Sequence, residues 1–201
     1  EDGLPYKSSG GEMVYCEELG KEIPKGWECV SLVKMADFIN GLALNNYPPK
    51  SKEDEIKVLK IKELRQGFCD DNSDTATSQV EDFYIIKAGD LIFSWSGSLM
   101  LRFWSSNTCF LNQHLFNVKA KSGYINEFLY FVVNFFLEGF QQIAASKATT
   151  MGHIKRSDLE NSYFALPKDV GDFNELINPI MQNSLGLQIE SIKLSEIRDA
   201  L

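Results

Sequence analysis

Two segments rich in hydroxyl groups contain the side chains with the most specific chemistry in this sequence. Residues 147–159 combine lysine, arginine, threonine and histidine with a glycine, directly after an apolar stretch. Residues 89–98 form a strand-like run that ends in alternating serines around a tryptophan and a glycine. Hydroxyl, imidazole and cationic groups on turns suit contacts with phosphates and base edges. The two segments therefore indicate a nucleic-acid surface rather than a reaction centre.

Cationic side chains could contact phosphates, which set the register of a protein on DNA but not the sequence that it reads. The candidates for phosphate contact are Lys60, Lys62, Arg65, Arg102, Lys147, Lys155 and Arg156. Sequence must be read by groups that present directional donors and acceptors to base edges. The candidates for base contact on predicted turns are Ser94, Ser96, Ser98, Thr149, Thr150 and His153. The amides of Gln66, Asn112 and Gln113 could read adenine, or they could equally fasten loops.

Structural roles compete with these functional interpretations. Trp95 and Trp104 are better explained by packing than by stacking on bases. His114 lies within a strand pattern and fits a structural histidine, whereas His153 could serve either role. Gly152 fits a turn that needs the backbone freedom of glycine.

The net charge of −8 for the 201 residues by itself argues against a nucleic-acid partner. The acids, however, lie mainly at the ends: the net charge is −4 for residues 1–28, −5 for 158–201 and +1 for 29–157. Residues 91–126 and 139–157 contain no Asp or Glu. Phosphate contact requires local positive potential rather than a positive total. These stretches could therefore face DNA, or they could equally be core segments that are poor in acids.

Motifs for catalysis and cofactor binding are missing from the sequence. Residues 46–50 have the wrong order for the Asn/Asp-Pro-Pro-aromatic motif of N6-adenine methyltransferases. The sequence has no G-x-G-x-x-G turn or Walker loop, and residues 94–97 lack the first glycine of a nucleophile elbow. The two histidines have no carboxylates clustered near them, so no metal nuclease site is visible. We therefore predict a protein that is not an enzyme and has no cofactor; a stand-alone hydrolase is the least favoured class.

The cysteines and the apolar runs indicate a cytoplasmic protein. Cys16, Cys29, Cys69 and Cys109 form no C-x-x-C pair, so a zinc ribbon is not expected and no metal site is predicted. Four free thiols fit a reducing cytoplasm best; a secreted domain with two disulfides is the alternative. The most apolar run, residues 128–137, is shorter than the roughly 20 residues that span a membrane.

Hydrophobic patterning predicts an α/β domain with a curved mixed β-sheet and flanking helices, followed by a long helix of the coiled-coil type. The predicted strands are residues 57–61, 83–87, 91–95, 108–111, 114–118 and 162–166. Residues 32–39 fit a short helix or a strand, and residues 63–67 fit a turn. A helix is predicted from Asn126, as its cap, to about Ser146, and its apolar residues cover most of its circumference.

The C-terminal segment carries a heptad pattern. Apolar residues recur at intervals of seven in one column, namely Phe173, Ile180, Leu187, Leu194 and Leu201. A second, imperfect column contains Leu176 and Ile197 but is polar at positions 183 and 190. Pairing with another long helix is predicted through Ile180, Leu187, Leu194, Ile197 and Leu201. The alternative is that this helix folds back on its own domain.

These features together resemble the specificity subunit of a type I restriction-modification enzyme. The similarity rests on residues 23–28, 88–94, 111–114 and 148–154, on the order of these segments, and on a C-terminal segment 195–201 that resembles the start of the family's helix motif. Residues 1–11 resemble the connector that follows the family's central helix. Each motif is short, and their order and spacing carry the specificity.

The resemblance implies a function. Subunits of this family have two target-recognition domains, separated by two long antiparallel helices, and each domain reads one half of a split DNA site. We expect a connector at residues 1–26, a target-recognition domain at 27–168 and a conserved helix at 172–201. The implied partners are double-stranded DNA, the methyltransferase subunits and, through them, the restriction subunits, with self-association through the helix as a further possibility and no membrane. The alternative is an interaction module that pairs through the helix without reading DNA.

Overall fold

Two four-stranded sheets form the centre of the fold in a computed structural model that describes residues 10–147 and 152–199. The strands are β1 (Met13–Cys16), β2 (Lys21–Pro24), β3 (Trp27–Ser31), β4 (Ala36–Asn40), β5 (Glu55–Leu59), β6 (Thr75–Thr77), β7 (Ile85–Ile86), β8 (Leu91–Ser94), β9 (Met100–Phe103), β10 (Cys109–Leu111), β11 (Leu115–Ala120) and β12 (Tyr163–Pro167). The helices are α1 (Leu32–Met35), α2 (Ile61–Gln66), α3 (Asn126–Ser146), α4 (Arg156–Glu160) and α5 (Gly171–Asp199).

The first sheet has the strand order β4-β11-β8-β9, and all of its neighbours are antiparallel. Every residue of β8 is buried, which is why its sequence is a continuous apolar run rather than an alternating one. Leu91 and Phe93 face the core under α3, while Ile92 faces a second core with Trp104 and Leu115. The sheet is therefore covered on both faces, and Trp104 is a core residue, as predicted.

The second sheet has the order β6-β5-β10-β7 and is mixed. Strands β5 and β10 run parallel, with Phe110 opposite Val58, whereas β6 and β7 run antiparallel to their neighbours. The predicted combination of mixed sheet, flanking helices and a long C-terminal helix is confirmed. The single predicted sheet is in fact divided into two four-stranded sheets and two strand pairs, because distant strands pair in ways that local patterns do not encode.

The two strand pairs lie at the start and the end of the predicted domain. Strands β1 and β2 form a hairpin within residues 1–26, which were predicted only as a connector. Strands β3 and β12 pair antiparallel, with Trp27 opposite Pro167. This second pair closes the fold, since it joins the first strand after the hairpin to the last strand before α5.

Helix α3 has the predicted extent but a different cap. Ile125 is the N-cap residue, and the Asn126 side chain instead accepts a hydrogen bond of 2.9 Å from the Ala120 amide at the end of β11. The prediction of an Asn126 cap is therefore wrong. By length and composition alone, α3 could cross a membrane, with a mean hydropathy of 1.2 over its best window. Leu129 and Val133 are nevertheless fully buried, because the helix packs on the first sheet.

The region after β5 differs from its predicted structure. Residues 57–61 were predicted as a strand and 63–67 as a turn, but β5 ends at Leu59 and α2 occupies Ile61–Gln66. The buried Glu63 carboxylate accepts hydrogen bonds from the Lys60 amide and the Ser73 hydroxyl, which holds the first turn of α2 in place. Residues 32–39 form both predicted alternatives in succession, since α1 is followed directly by β4.

Helix α5 presents two separate apolar stripes. One stripe, which includes Met181 and Leu185, packs on the main core against α3. The other contains the heptad residues that the structure describes, and these remain exposed: Phe173, Leu176, Ile180, Leu187, Leu194 and Ile197. The helix runs through Pro179 without interruption. The docking of α5 on its own domain therefore leaves the predicted pairing column uncovered, while Leu201 lies outside the described residues.

Gly41→Ala should destabilise the fold because a Cβ atom at Gly41 would lie only 2.2 Å from the Asn112 carbonyl oxygen. We expect the free energy of unfolding in urea to fall by about 1–3 kcal/mol, the usual cost of overpacking. Gly139→Ala is the matched control, since a Cβ there meets nothing within 4 Å inside α3. The control should raise stability by about 0.5–1 kcal/mol through helix propensity. Equal effects of the two substitutions would contradict the close approach of β4 to the β10–β11 loop.

Candidate nucleic-acid interface

The two hydroxyl-rich segments of the sequence lie side by side in the structure. Ser96 and His153 form an isolated antiparallel bridge. The Gly97 amide donates to the Gly152 carbonyl at 2.8 Å, and the Ile154 amide donates to the Trp95 carbonyl at 3.1 Å. Segments separated by more than 50 residues of sequence therefore form one surface at the end of β8.

Gly152 allows this approach. A Cβ atom on Gly152 would lie 2.3 Å from the carbonyl oxygen of Ala144, in the last turn of α3. The backbone must pass this close because Ile154, two residues later, is buried in the main core. Position 152 therefore requires glycine because the backbone there passes close to α3. Backbone conformation is not the reason, since the φ of Gly152 is not positive.

A small cleft of about 260 Å³ opens between the joined segments, with Trp95, Ser96, His114 and His153 as its lining. The indole ring of Trp95 lies 5.9 Å from the His114 ring and 6.2 Å from the His153 ring, between ring centroids. The indole nitrogen donates to the Asn40 side-chain oxygen at 3.2 Å, which fixes the ring plane. The cleft thus combines one aromatic face with two imidazoles.

The Ser96 hydroxyl and His114 Nδ1 are 3.0 Å apart, which is the distance of a nucleophile and its general base. Ser96 is only 2% exposed, and no carboxylate of the described residues bonds the His114 ring. A catalytic triad requires such an orienting group and an accessible hydroxyl. We therefore interpret the pair as a structural hydrogen bond, in agreement with the role predicted for His114.

Helix α2 extends the surface on the other side of the β8–β9 loop. The exposed Arg65 guanidinium donates to the Ser98 hydroxyl, which links the end of α2 to this loop. Arg102 donates to the backbone carbonyls of Leu64 and Arg65, at 3.3 Å and 3.0 Å. Arg102 thereby satisfies the carbonyls at the C-terminal end of α2, so it serves the fold and is not retained as a phosphate contact.

The remaining cations divide into paired and unpaired groups. The ion pairs of the candidate cations are Lys60–Asp74, Lys62–Asp70 at 3.5 Å, Lys147–Asp158 at 3.2 Å and Arg156–Glu160 at 3.7 Å. Arg65 and Lys155 are exposed, and no carboxylate within the described part of the chain lies within ion-pairing distance of either. These two cations would bind a phosphate without first breaking an ion pair, although the Arg65 guanidinium already donates a hydrogen bond to the Ser98 hydroxyl.

The predicted base-contacting hydroxyls are not equally accessible. Ser94 is fully buried within β8 and donates to the Ser96 carbonyl, and the Ser96 hydroxyl is bonded to His114. Both were predicted on turns from which they could reach a groove. Their burial opposes that role, because Ser94 lies in the fully buried β8, and the bridge to His153 and the bond to His114 enclose Ser96. Ser98 and His153 are exposed. The other two hydroxyl candidates, Thr149 and Thr150, lie outside the described residues.

The amide candidates mainly fasten loops. Gln66 donates to the Phe68 carbonyl at 2.6 Å, and the buried Asn112 accepts from the His114 amide at 3.2 Å. Asn40 and Gln141 were not identified from the sequence, although Asn40 orients Trp95 and Gln141 donates to the Leu99 carbonyl at 3.0 Å. No local pattern indicates these roles, because each contact joins residues more than 40 positions apart.

Asp158 organises the entry into α4 and the basic residues around it. Its carboxylate accepts a 2.7 Å hydrogen bond from the Lys155 amide and pairs with the Lys147 ammonium. Partial burial opposes ionisation, but the Lys155 amide and the Lys147 ammonium together hold the pKa of Asp158 below its ordinary value. The carboxylate therefore remains charged and keeps the segment from 152 to 155 against α4.

Comparison with known proteins gives one family and several relatives. The family model described as "Type I restriction modification DNA specificity domain" matches residues 24–197. The type I restriction enzyme MjaIX specificity subunit of Methanocaldococcus jannaschii is 29% identical over 100% of this chain and 48% of its own length. The EcoBI specificity subunit of Escherichia coli is 22% identical over 72% of this chain and 30% of its own length. The chain thus spans less than half the length of these curated relatives.

Solved structures share the fold at low sequence identity. The S subunit of a type I restriction-modification system from M. genitalium superposes with a TM-score of 0.58 at 17% identity, covering 87% of this chain and 43% of the other. The HsdS subunit from Thermoanaerobacter tengcongensis gives a TM-score of 0.54 at 17% identity, covering 88% of this chain and 41% of the other. These likenesses concern the fold alone.

Asp158→Ala should lower the free energy of unfolding by about 1 kcal/mol at pH 7, because the start of α4 loses its side-chain acceptor. The lowered pKa of Asp158 sets the sign of the pH dependence. The carboxylate stabilises the fold above its ordinary pKa of about 3.9, and this contribution disappears as the pH falls through the lower pKa of the folded state. The difference between wild type and variant should therefore shrink in acid, as measured by urea unfolding at several pH values.

Glu160→Ala is the control for this substitution, since Glu160 is an exposed acid of the same helix that pairs with Arg156. An exposed pair of this kind contributes less than about 1 kcal/mol. A deficit of Asp158→Ala that keeps its full size at acid pH would show that the side chain acts through packing rather than through its charge.

Proposed function

The chain belongs to the type I restriction modification DNA specificity domain family, and we propose that it is a non-catalytic domain that reads one half of a bipartite DNA site. The observation that carries this proposal is the joining of residues 94–98 to residues 152–155, which brings the exposed Ser98, His153 and Lys155 onto one surface. Both segments carry groups that could contact phosphates and bases. Their juxtaposition across the fold is what a single recognition surface requires.

Phosphate contacts are assigned first to Arg65 and Lys155. Both are exposed on the proposed surface, and within the described part of the chain neither has a carboxylate within ion-pairing distance. The longer-range attraction between Lys155 and Asp158 and the hydrogen bond from Arg65 to Ser98 leave both cations accessible to a phosphate. Lys147 and Arg156 lie nearby and are paired with Asp158 and Glu160. Contact between a phosphate and either paired cation would first have to replace a carboxylate, which lowers the net gain. The total charge of −8 is compatible with this local arrangement because screening limits the reach of exposed charges to about 10 Å at moderate salt.

Base contacts are assigned to Ser98 and His153, and Thr149 and Thr150, which lie outside the described residues, remain further candidates from the sequence. The Ser98 hydroxyl already accepts a hydrogen bond from Arg65, so a phosphate-binding group and a base-reading group are held together. His153 stands at the mouth of the cleft beside Trp95. In this assignment, the phosphate contacts of Arg65 and Lys155 flank the base contacts of Ser98 and His153.

The wider assembly follows from the same proposal. Residues 27–168 form the target-recognition domain, and residues 172–201 form a conserved helix that serves as a scaffold or dimerisation arm. Methyltransferase subunits, and restriction subunits through them, supply the reactions, which take place in the cytoplasm. The curated relatives are named as specificity subunits of restriction enzymes, which supports this division of labour.

The helix arm has its own supporting observation. The described heptad residues Ile180, Leu187, Leu194 and Ile197 are each more than half exposed, although they are apolar. A continuous apolar column in water is unfavourable, and a second helix would cover it by knobs-into-holes packing. We propose that this column pairs with another long helix, in the same assembly or in a second copy. An interaction module that pairs in this way without reading DNA is the alternative function.

Arg65→Ala and Lys155→Ala should each weaken binding to duplex DNA and reduce the dependence of the binding constant on salt. Loss of one phosphate contact lowers the slope of log K against log salt by about 1. Binding of the chain to a randomised duplex library is measured by fluorescence anisotropy across a salt series. Lys193→Ala is the control, because Lys193 is an exposed lysine of helix α5 and belongs to neither of the joined segments. Unchanged slopes in both variants would favour the interaction module.

Leu187→Asp with Leu194→Asp should abolish helix pairing, because carboxylates replace two neighbouring residues of the exposed column. Sedimentation velocity, alone and with a methyltransferase subunit, should show loss of association with unchanged circular dichroism. Ser184→Asp is the matched control, since Ser184 is an exposed polar residue of the same helix. If association survives the double variant, the column is not an interface.

A further inference from the structure

Three potential metal ligands converge at the N-terminal hairpin, far along the chain from the DNA surface. Cys16 ends β1, Glu18 lies in the turn that follows, and Cys29 lies in β3. The thiol sulfurs and one carboxylate oxygen all lie within 4.8 Å of one another. The Cys16 thiol donates to Glu18 Oε2 at 3.3 Å. Within the described residues this is the one group of three such ligand atoms.

We propose that Cys16, Glu18 and Cys29 form a binding site for a thiophilic divalent cation of the zinc type. This site is independent of the recognition surface and goes beyond the reading of DNA. On binding, the two thiols release their protons to solvent, and the two thiolates and the carboxylate coordinate the ion. Glu18 is exposed, so the fourth position of a tetrahedral ion faces water.

The distances fit this chemistry. Zinc binds thiolate sulfur at about 2.3 Å and carboxylate oxygen at about 2.0–2.2 Å, so two ligands of one tetrahedral ion lie roughly 3.5–3.8 Å apart. The three ligand atoms all lie within 4.8 Å of one another, so coordination needs an inward movement of at most about 1 Å by flexible side chains. Two soft sulfurs with a single carboxylate also disfavour calcium and magnesium, which prefer oxygen ligands.

The hairpin positions two of the proposed ligands, Cys16 and Glu18, before any metal binds. Side chains alternate along β1, so Cys16 points inward at 6% exposure while Tyr15 is exposed. The turn closes through a hydrogen bond from the Gly20 amide to the Glu17 carbonyl, and Gly20 supplies the positive φ of 61°. The hydrogen bond from the Cys16 thiol to the Glu18 carboxylate keeps these two ligands side by side.

The two thiols lie in partly dry surroundings, since Cys16 is buried and Cys29 is half-buried. Two thiolates side by side there would be costly without a cation, and a bound divalent ion removes that cost. The acidic surroundings favour a cation as well, since the net charge of residues 1–28 is −4.

A metal here would tie the hairpin to the rest of the fold. Within the described part of the chain, all backbone hydrogen bonds of the hairpin are internal. Leu19 and Ile23 of the hairpin line one apolar groove together with Phe135 and Phe164 of the domain, so side chains rather than backbone groups face each other here. Coordination by Cys16 of the hairpin and Cys29 of β3 would fix the angle at which the chain enters the domain.

No metal site is predicted from the sequence, because the cysteines are not closely spaced. Cys16 and Cys29 are separated by the whole second half of the hairpin, and only the return of the chain from β2 to β3 brings them together. The relevant pattern is a C-x-E turn followed by a cysteine on the next strand but one. Such a pattern has no local periodicity and can be recognised only when the hairpin register is known.

Cobalt substitution tests the proposal on the full chain. The protein is stripped with chelator under a non-thiol reductant and titrated with Co²⁺, followed by competition with Zn²⁺. We expect one equivalent of cobalt with thiolate charge-transfer absorption and the intense visible bands of a tetrahedral ion, displaced by zinc. Cys16→Ser and Cys29→Ser should abolish the charge-transfer absorption or halve it. Glu18→Gln should weaken cobalt binding at least tenfold, which is about the effect of losing even an outer-shell partner.

Two matched controls accompany these variants. Glu17→Gln changes the neighbouring exposed acid of the same turn, and Cys69→Ser changes a half-buried thiol elsewhere. Both should bind cobalt as wild type does, and circular dichroism should confirm that every variant is folded. Absence of a tetrahedral cobalt spectrum in wild type would overturn the proposal, and so would a spectrum that survives both cysteine variants. A disulfide between Cys16 and Cys29 that persists under reductant, detected by mass, would replace the metal site with a redox pair.

Discussion

Burial of β8 on both faces is the constraint on which the rest of the domain depends. Leu91 and Phe93 face one core and Ile92 faces the other, so the register of this strand against β11 cannot change without exposing apolar side chains. That register places Ser94 opposite Leu115 and thereby sets the loops that follow β8 and precede β11. The cleft beside Trp95 is built from these two loops. Its geometry is therefore a direct result of packing under α3 and against the second sheet.

Some cations of the proposed surface bind carbonyl or carboxylate groups of the protein itself, whereas others remain available to bind a phosphate. Arg102 is committed to the carbonyls at the end of α2, and Lys147 is committed to Asp158. Arg102 donates to the Arg65 carbonyl, while Asp158 binds both the Lys155 amide and the Lys147 ammonium. The two cations proposed to contact phosphates are therefore anchored through their backbones, and their side chains are exposed.

The sequence predicted the elements that depend on local residue patterns. It did not predict the features that depend on contacts between segments far apart in the chain. The apolar surface of α3 and the seven-residue spacing of α5 predicted both helices, because periodicity is a local property. The same logic assigned Ser94 and Ser96 to a turn that could reach a groove, and their burial opposes that role. Likewise, the cap expected from Asn126 was displaced by a contact with β11. In each failure a long-range contact outweighed a local preference.

The antiparallel pair of β3 and β12 has a consequence for how such domains could change. Trp27 lies opposite Pro167, so the chain enters and leaves the proposed recognition domain at nearly the same point. Segments whose ends meet in this way can be inserted or exchanged with little disturbance of what flanks them. The domain could therefore be exchanged as one unit, while the hairpin before it and the long helix after it keep their places.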